Sequence, residues 1–329
     1  MMDTLIARFP EQLREALEIG SKAMIHKHSK EIQNVYVAGL GGSGIGANFV
    51  KEFVADELRI PFSVGKGYSI PASVGEHTLA IASSYSGNTE ETLSSFEMMK
   101  ETGAKIVVIS SGGKLIEYAK TNGYDYIQVP GNWPSPRACL GYSVVQQLFV
   151  LHKLGLISDT AIKGVKSSIS LIEGESDTIK EEAMEVAKRL NNKIPIIYTT
   201  DRMSAVAVRQ RQQINENSKM LCWHHIVPEM NHNELVGWRK KSDQWAVLYL
   251  RNDDDVMRNA ARIDINKEII SKYADTIVEI YSKGSSLVER MIYLVHLGDW
   301  MSFYLCELHG TDSIEIEVID FLKSSLAKL

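Results

Sequence analysis

The sequence predicts an α/β protein with two successive domains, each a mainly parallel sheet flanked by helices. Short β-branched runs alternate with helical patterns along the chain, which is typical of βαβ units and a parallel sheet. The alternation restarts after Leu190, which indicates a duplicated plan. With 329 residues, the chain has room for two domains that each bury a core. We place these domains at residues 1–155 and 156–329.

The elements of the first half follow one another in a regular order. The N-terminal twenty residues predict an amphipathic helix and not a signal peptide, because they carry acidic residues and no sustained apolar stretch. A further helix runs from about Ala138 to Leu154, after a proline-containing loop. Between them we predict strands at Val35–Leu40, Leu79–Ser83, Lys105–Ser110 and Tyr126–Val129, with helices near 45–57, 88–102 and 113–122.

The second half repeats this plan after a linker. The region from Ser158 to Leu190 is rich in Lys, Glu and Ile at helical spacing and predicts linker helices. The remaining elements are strands at Ile194–Thr199, Trp245–Leu250 and Thr276–Tyr281, and helices at Ser204–Glu216, 255–273, Ser286–Leu308 and Ile314–Leu326.

The net charge and the cysteine spacing indicate which partners and which cellular compartment to expect. The chain has 36 basic and 41 acidic residues and a formal charge of −5, which argues against nucleic acid as a partner. Three widely spaced cysteines form no CxxC pair and fit a reducing cytoplasm. No uninterrupted apolar stretch is long enough to predict a membrane span.

Two Gly- and Ser-rich turns follow the first two predicted strands. The first reads GLGGSGIG, from Gly39 to Gly46, and leads into an apolar helix. Such glycines let successive N–H groups point into one concavity, to which the helix adds its positive end. A dinucleotide-binding turn or a simple tight connection would have the same pattern. However, the acidic residue that would bind a ribose and the lysine of a phosphate-binding P-loop are both missing from their expected places.

The second turn reads SSYSGNTEET, over Ser83–Thr92. Ser84, Ser86 and Thr89 place three hydroxyls at a strand end, which suits the acceptor oxygens of a phosphate dianion. Thr89 or Asn88 could also cap the next helix. A single Ser/Thr-rich helix cap often occurs by chance. Two such turns on adjacent strand ends occur by chance less often, which favours a binding site. The carboxyl edge of the sheet is where α/β proteins bind ligands.

This second turn, SxSGxTxET after a strand, resembles the signature of the sugar isomerase (SIS) domain. In that family the loop holds the phosphate of a phosphosugar. The resemblance therefore implies phosphate ligands at Gly42, Ser43, Ser84, Ser86 and Thr89.

Three further segments carry residues that aldose–ketose isomerisation would need, namely a base near C2 and a stabiliser of the enediolate. Glu216 lies in QINENSK at a helix end, where an exposed glutamate without function is the simple alternative. Arg137 follows two prolines in PSPRACLGY, where a solvated arginine is the alternative. His232 lies in EMNHNELVGW and could equally be a surface residue. His224 and His225 nearby make a metal site conceivable, although the spacing matches no standard zinc pattern.

Taken together, the segments resemble the bifunctional phosphoglucose/phosphomannose isomerase family, a branch of the SIS superfamily. The resemblance spans essentially the whole chain and rests on an ordered set of motifs: GLGGSGIG, SSYSGNTEET, PSPRACLGY, QINENSK, NHNE and a terminal IDFLK. It implies interconversion of glucose 6-phosphate and mannose 6-phosphate with fructose 6-phosphate through a cis-enediol, without metal or cofactor.

The same resemblance implies a role for each matching residue. Glu216 matches the base that moves the proton between C2 and C1, and Arg137 matches the residue that steadies the enediolate. His232 in NHNE and Lys323 in IDFLK match the pair that opens the sugar ring. In the family the histidine enters from the neighbouring subunit, which implies a homodimer.

The chain departs from the family at one place. The family usually has a proline shortly after the aspartate that precedes the last helix, whereas this chain has no proline after Pro228. The residues that shape the C1–C2 region, within 311–317, are therefore not carried over.

Two other functions remain open. One is a sugar-phosphate sensor, which would need only the phosphate-binding turns, and the other is an isomerase for another phosphosugar.

Overall fold

Each half of the chain builds one parallel β-sheet, so the predicted α/β class is confirmed. The computed structural model describes residues 1–328, which form two compact units. The N-terminal unit comprises Arg8–Gly174 and Gly284–Ile292. The C-terminal unit comprises Met1–Ala7, Glu175–Lys283 and the chain from Tyr293 onward. The linear boundary at residue 155 stays a prediction.

The N-terminal unit contains five parallel strands in the order β2-β1-β3-β4-β5. All six residues of the central strand β3 are buried, because helices cover both faces of a parallel sheet and TLAIAS offers no large polar side chain. The strands are β1 (Asn34–Ala38), β2 (Phe62–Gly65), β3 (Thr78–Ser83), β4 (Lys105–Ser110) and β5 (Asp125–Gln128).

The C-terminal unit contains four parallel strands in the order β7-β6-β8-β9. The core on one side of this sheet includes Tyr198, Val247 and Tyr249 together with Met230 and Trp238 from the segment that follows β7. The strands are β6 (Ile194–Thr200), β7 (Trp223–Val227), β8 (Ser242–Arg251) and β9 (Ala274–Tyr281).

The α-helices agree closely with the predicted ones. The N-terminal segment forms two helices where one was predicted, and the predicted linker forms α7 and α8. The helices are α1 (Met2–Ala7), α2 (Phe9–Lys22), α3 (Gly41–Val54), α4 (Glu90–Lys100), α5 (Gly113–Asn122), α6 (Leu140–Lys153), α7 (Thr160–Gly174), α8 (Ser176–Leu190), α9 (Ser204–Ser218), α10 (Met257–Ile270), α11 (Leu287–His309) and α12 (Glu317–Leu326). Among residues 1–328, none of the helices combines the length and the apolar character that crossing a membrane requires.

Two strands, β2 and β7, are not predicted from the sequence. Both are edge strands of their sheets. An edge strand has a partner on one side only and stays partly exposed, so it does not need a continuous apolar run. Accordingly, β2 has four residues and none is fully buried, while β7 reads WHHIV and buries only Val227.

The register of the first sheet brings three strand ends to one edge. Ala38 of β1 pairs with Gly65 of β2 on one side and with Ala82 of β3 on the other. The turns that follow β1 and β3 therefore leave the sheet side by side. The predicted meeting of the two Gly- and Ser-rich turns at the carboxyl edge is confirmed.

Candidate functional site

The first turn brings the start of α3 against the end of β3. A Cβ atom on Gly39 would lie 2.9 Å from the carbonyl oxygen of Ser83, so only glycine permits this approach. The N–H groups of Ser43 and Gly44 both donate to the carbonyl oxygen of Leu40, at 3.0 and 3.1 Å. The helix therefore presents its positive end, with Gly42 in its first turn, at the carboxyl edge of the sheet.

The second turn is held by its own hydroxyls. The Ser84 and Thr89 hydroxyl oxygens are 2.8 Å apart and share a hydrogen bond. The Gly87 N–H donates to Ser84 Oγ at 3.2 Å, and the Asn88 N–H donates to Ser86 Oγ at 3.3 Å. Ser84 is buried, Thr89 is partly buried and Ser86 is exposed. The three predicted hydroxyls thus lie in one turn, and their exposure increases from Ser84 to Thr89 to Ser86.

Two details of this turn differ from expectation or extend it. Thr89 is the N-cap residue of α4, but its side chain makes no capping hydrogen bond because the hydroxyl pairs with Ser84. Asn88 does not cap α4 either; its Oδ1 accepts from the N–H of Lys114 at 3.1 Å. Gly87 has a φ of 71°, and a Cβ there would lie 1.9 Å from the Gly112 carbonyl oxygen.

Arg137 lies in a short 3₁₀ helix, Pro136–Ala138, directly before α6. A Cβ on Gly42 would lie 3.3 Å from the Pro136 carbonyl oxygen, so this helix abuts the first turn. The Arg137 residue is only 7% exposed. The alternative of a solvated arginine is therefore wrong, and the structure brings Arg137 together with the first Gly- and Ser-rich turn.

The residue that holds the Arg137 segment in place is Gln12, which the sequence does not reveal. Gln12 on α2 is fully buried, and its Nε2 donates to the Ala138 carbonyl oxygen at 2.7 Å. Its Oε1 accepts from the Gly141 N–H at 2.8 Å. One side chain thereby fixes the backbone just after Arg137. No sequence signal links it to Arg137, because the two positions lie far apart in the chain.

Glu216 lies in the last turn of α9 and is partly exposed. Polar contacts fasten this helix to α11. Asn217 Nδ2 donates to Ser302 Oγ at 2.9 Å, and Ser218 Oγ donates to the Ser302 carbonyl oxygen at 2.7 Å. Lys219 ends the helix in a left-handed conformation, and its Nζ donates to the Glu216 carbonyl oxygen at 2.7 Å. The backbone around Glu216 is therefore well fixed.

His232 lies in a 3₁₀ turn, Glu229–His232, just after β7, and its side chain is exposed. The neighbouring Met230 is completely buried, so the turn is anchored while His232 faces solvent. Lys323 is also exposed, on α12. Glu216, His232 and Lys323 thus come from three separate elements of the C-terminal unit.

His224 lies in the edge strand β7 and is partly buried. Burial lowers the pKa of His224 to about 4, with a smaller effect of Arg211 and His225 in the same direction. His224 is therefore neutral near pH 7. Within residues 1–328, no three His, Cys, Asp or Glu side chains are grouped closely enough to hold a metal ion.

Comparison with known proteins first defines the class. Residues 30–152 match the family model of the SIS domain, and residues 179–326 match the bacterial phospho-glucose isomerase C-terminal SIS domain. The C-terminal domain of glucosamine-fructose-6-phosphate aminotransferase from Francisella tularensis superposes with a TM-score of 0.76, covering 94% of this chain and 97% of that chain. At 13% identity this similarity shows the fold alone. The two sheets and the hydroxyl-lined turns therefore define a SIS-class protein.

Curated relatives then define the family. The bifunctional phosphoglucose/phosphomannose isomerase of Caldicellulosiruptor bescii is 41% identical over 98% of both chains. The enzyme of the same name from Aquifex aeolicus is 34% identical over 92% of this chain and 93% of its own. The chain belongs to the bifunctional phosphoglucose/phosphomannose isomerase family, as the ordered motifs predict.

Proposed function

We propose that this chain is an aldose–ketose isomerase that interconverts glucose 6-phosphate and mannose 6-phosphate with fructose 6-phosphate. The observation that carries the proposal is the 41% identity, over 98% of the chain, to a bifunctional phosphoglucose/phosphomannose isomerase. The hydroxyl-lined turns at the carboxyl edge of the first sheet support it, because they suit the phosphate that all three sugars share.

The phosphate is held by the N–H groups and hydroxyls of the two turns. Gly42 and Ser43 contribute from the start of α3, and Ser84, Ser86 and Thr89 contribute from the second turn. These groups are neutral donors, aided by the positive end of a helix. The substrate therefore binds as the dianion without needing a metal or a nucleotide.

The chemistry is proton transfer between adjacent carbons. His232 and Lys323 open the ring to the free aldehyde. The Glu216 carboxylate takes the proton from C2 while the C1 oxygen gains a proton, which gives a cis-enediol. Protonated Glu216 then returns its proton to C1 as the C2 hydroxyl loses its own and becomes the ketone. Arg137, buried and with its backbone fixed by Gln12, steadies the negative charge that develops on the oxygens.

One planar intermediate explains why both aldoses are substrates. Glucose 6-phosphate and mannose 6-phosphate differ only at C2, and the enediol has no stereochemistry at that carbon. Rotation about the C2–C3 bond presents either face to the same carboxylate. A single base therefore serves both epimers.

We also propose a homodimer in which His232 is contributed across the interface. Exposed apolar side chains in the C-terminal unit support an assembled state. Val236, four residues after His232, is 66% exposed, and Leu221 is 86% exposed. On α12, beside Lys323, Phe321 is 75% exposed. Large apolar side chains exposed to this degree leave surface that an interface would bury. Three free cysteines fit the cytoplasm as its compartment.

The test is to incubate the purified protein with fructose 6-phosphate, with and without a chelator, and to identify the products by NMR. We expect both glucose 6-phosphate and mannose 6-phosphate, at rates that the chelator does not change. Binding without turnover would instead indicate a sensor. Turnover of a different phosphosugar only would indicate another isomerase.

A further inference from the structure

The carboxylate of Glu234, two residues after His232, is the centre of a hydrogen-bond network. Its Oε1 accepts from Tyr198 Oη at 2.5 Å and from Trp223 Nε1 at 3.2 Å. His225 Nδ1 lies 3.0 Å from Oε2 but makes no hydrogen bond with it. Hydrogen bonds to a carboxylate are stronger than hydrogen bonds to a neutral acceptor.

Tyr198 holds the same segment at a second point. We call Glu229–Trp238 the His232 segment. The Tyr198 hydroxyl donates to Glu234 and accepts from Trp238 Nε1 at 3.2 Å, so one oxygen binds two residues of this segment. Tyr198 lies in β6 and is completely buried. A rigid strand in the centre of the sheet thereby fixes the segment that carries His232.

Two buried side chains, Met230 and Trp238, anchor the segment, and Asn231 Nδ2 donates to Asn266 Oδ1 on α10 at 2.6 Å. None of the residues between Met230 and Trp238 is fully buried. His232, Val236 and Gly237 are exposed, and the segment's two short 3₁₀ turns are too brief to be stable alone. The local bonds run from Asn233 to Glu229 and from the Glu234 N–H to Asn233, at 2.8 and 2.6 Å. These bonds connect the segment to itself and not to the sheet. The hydrogen bond between Glu234 and Tyr198 connects this exposed part of the segment to the sheet.

We propose that Glu234 and Tyr198 are positioning residues that hold the His232 segment so that His232 can open the sugar ring. This inference rests on the ring-opening role of His232 in the proposed function. Because three indoles, Trp223, Trp238 and Trp245, border the same cavity as Glu234, the network is partly shielded from water. Hydrogen bonds gain strength in such an environment.

The chain offers a matched control in Tyr249. Tyr249 lies opposite Tyr198 on the neighbouring strand β8, and the two ring centroids are 5.6 Å apart. Both residues are completely buried. Unlike Tyr198, Tyr249 has a buried hydroxyl that forms no hydrogen bond. Replacing either tyrosine by phenylalanine removes one buried oxygen, but only the change at Tyr198 removes hydrogen bonds to the His232 segment.

The experiment separates ring opening from isomerisation. In a Glu216→Gln background, transfer of the carbon-bound proton is blocked, and exchange between the α and β anomers of glucose 6-phosphate reports ring opening and closing. NMR exchange spectroscopy measures this rate for variants with Tyr198→Phe, Glu234→Ala, Tyr249→Phe or His232→Ala added. Each is assayed well below its own Tm, so that all variants are folded.

We expect His232→Ala, Tyr198→Phe and Glu234→Ala each to slow anomer exchange at least about tenfold, because a displaced catalytic group loses most of its effect. Tyr249→Phe should stay within about twofold of its parent, and adding Tyr198→Phe to His232→Ala should cause no further loss. If Glu234→Ala does not fold, Tyr198→Phe still tests the inference, because it removes a single oxygen.

Two results would overturn the inference, and they are distinguishable. If His232→Ala abolishes anomer exchange while Tyr198→Phe leaves it unchanged, the positioning role is wrong and the proposed function stands. If His232→Ala itself has no effect, the proposed ring-opening role is wrong, and the positioning role falls with it.

Discussion

Two hydroxyls of the second turn share a hydrogen bond. Ser84 pairs with Thr89 and also accepts the Gly87 N–H, so its oxygen is already oriented. In the proposed function, a turn that its own hydrogen bonds hold in place would lose little conformational entropy when it binds the phosphate.

We predict that Ser84→Ala weakens phosphosugar binding with little effect on turnover. Loss of one hydrogen bond to a charged group costs about 1.5–3 kcal/mol, which corresponds to a rise in KM of roughly 10- to 100-fold. Steady-state kinetics with fructose 6-phosphate measures this change. Ser63→Ala, on the exposed side of β2, is the control and should leave KM unaltered. An unchanged KM in Ser84→Ala would remove Ser84 from the phosphate site.

For single residues, the sequence predicts which side chains line the two turns better than it predicts the contacts those side chains make. Glycines and hydroxyls in a fixed pattern reveal the turns, and the structure brings those residues together. The capping role expected of Thr89 was wrong because Ser84, five residues earlier, competes for the hydroxyl. The burial of Arg137 could not be foreseen either, because it depends on packing between segments far apart in the chain.

Among the elements, α9 shows how a polar helix can be buried. Arg209 donates to both carboxylate oxygens of Asp299 on α11, at 3.2 and 2.9 Å, and both side chains are nearly inaccessible. Burial raises the pKa of the Asp299 carboxyl, and the adjacent guanidinium opposes that shift. This pair helps fix the helix that carries Glu216.

We predict that Asp299→Ala destabilises the protein strongly. It leaves the buried Arg209 guanidinium without that carboxylate, which costs about 3–5 kcal/mol. Urea unfolding followed by circular dichroism should show a clearly lower midpoint. The double variant Arg209→Met with Asp299→Leu should recover most of the loss, since it removes both charges and keeps apolar volume. A midpoint for Asp299→Ala equal to the parent's would contradict this account.

The start of α11 gives a pH-dependent prediction. Burial alone would raise the pKa of Glu289, but hydrogen bonds from Ser167, Ser285 and Ser286 lower it from 4.5 to about 2. A carboxyl whose pKa is depressed by folding stabilises the native state above its unfolded pKa and loses that effect as pH falls toward the folded pKa. Glu289→Gln should therefore lower Tm at neutral pH.

The difference in Tm between parent and Glu289→Gln should be constant above about pH 6 and should shrink as pH falls from about 4.5 toward about 2. Differential scanning calorimetry across this range measures it. Glu307→Gln, at an exposed position of the same helix, is the control for removing one carboxylate from α11. A difference that grows on acidification would reverse the sign of the proposed effect.

The central strands and two edge strands, β5 and β9, are predictable from the sequence, whereas the edge strands β2 and β7 are not. β3 and β4 have continuous apolar runs because their neighbours bury them on both sides. β2 and β7 lie at sheet edges, where their residues stay partly exposed and the apolar signal fades. The missed β7 matters for the proposed function, because the His232 segment follows it directly.

For the whole molecule, the proposed homodimer makes a prediction that a monomer cannot meet. If His232 completes the site of the neighbouring subunit, two inactive variants should restore activity when mixed. Glu216→Gln and His232→Ala chains would form hybrid dimers in which one of the two sites has both native residues. After denaturation and refolding of an equal mixture, activity should approach about one quarter of the parent's.

Refolding each variant alone under the same conditions is the control and should give no recovery. Light scattering after gel filtration confirms that the mixture is dimeric. If the mixture remains inactive although hybrid dimers form, His232 acts within its own chain. The assembly could be proposed from the sequence only through the family resemblance, because no motif in a single chain specifies which subunit supplies a residue.

The central claim is that one carboxylate, Glu216, moves the proton for both aldoses. The most direct measurement is the rate at which the Glu216→Gln variant converts fructose 6-phosphate to glucose 6-phosphate and to mannose 6-phosphate, with both products quantified by NMR in one sample. We predict that both rates fall together by about 10²–10⁴-fold while substrate binding is kept. If one product still forms at the parent's rate, a second base exists and the claim is wrong.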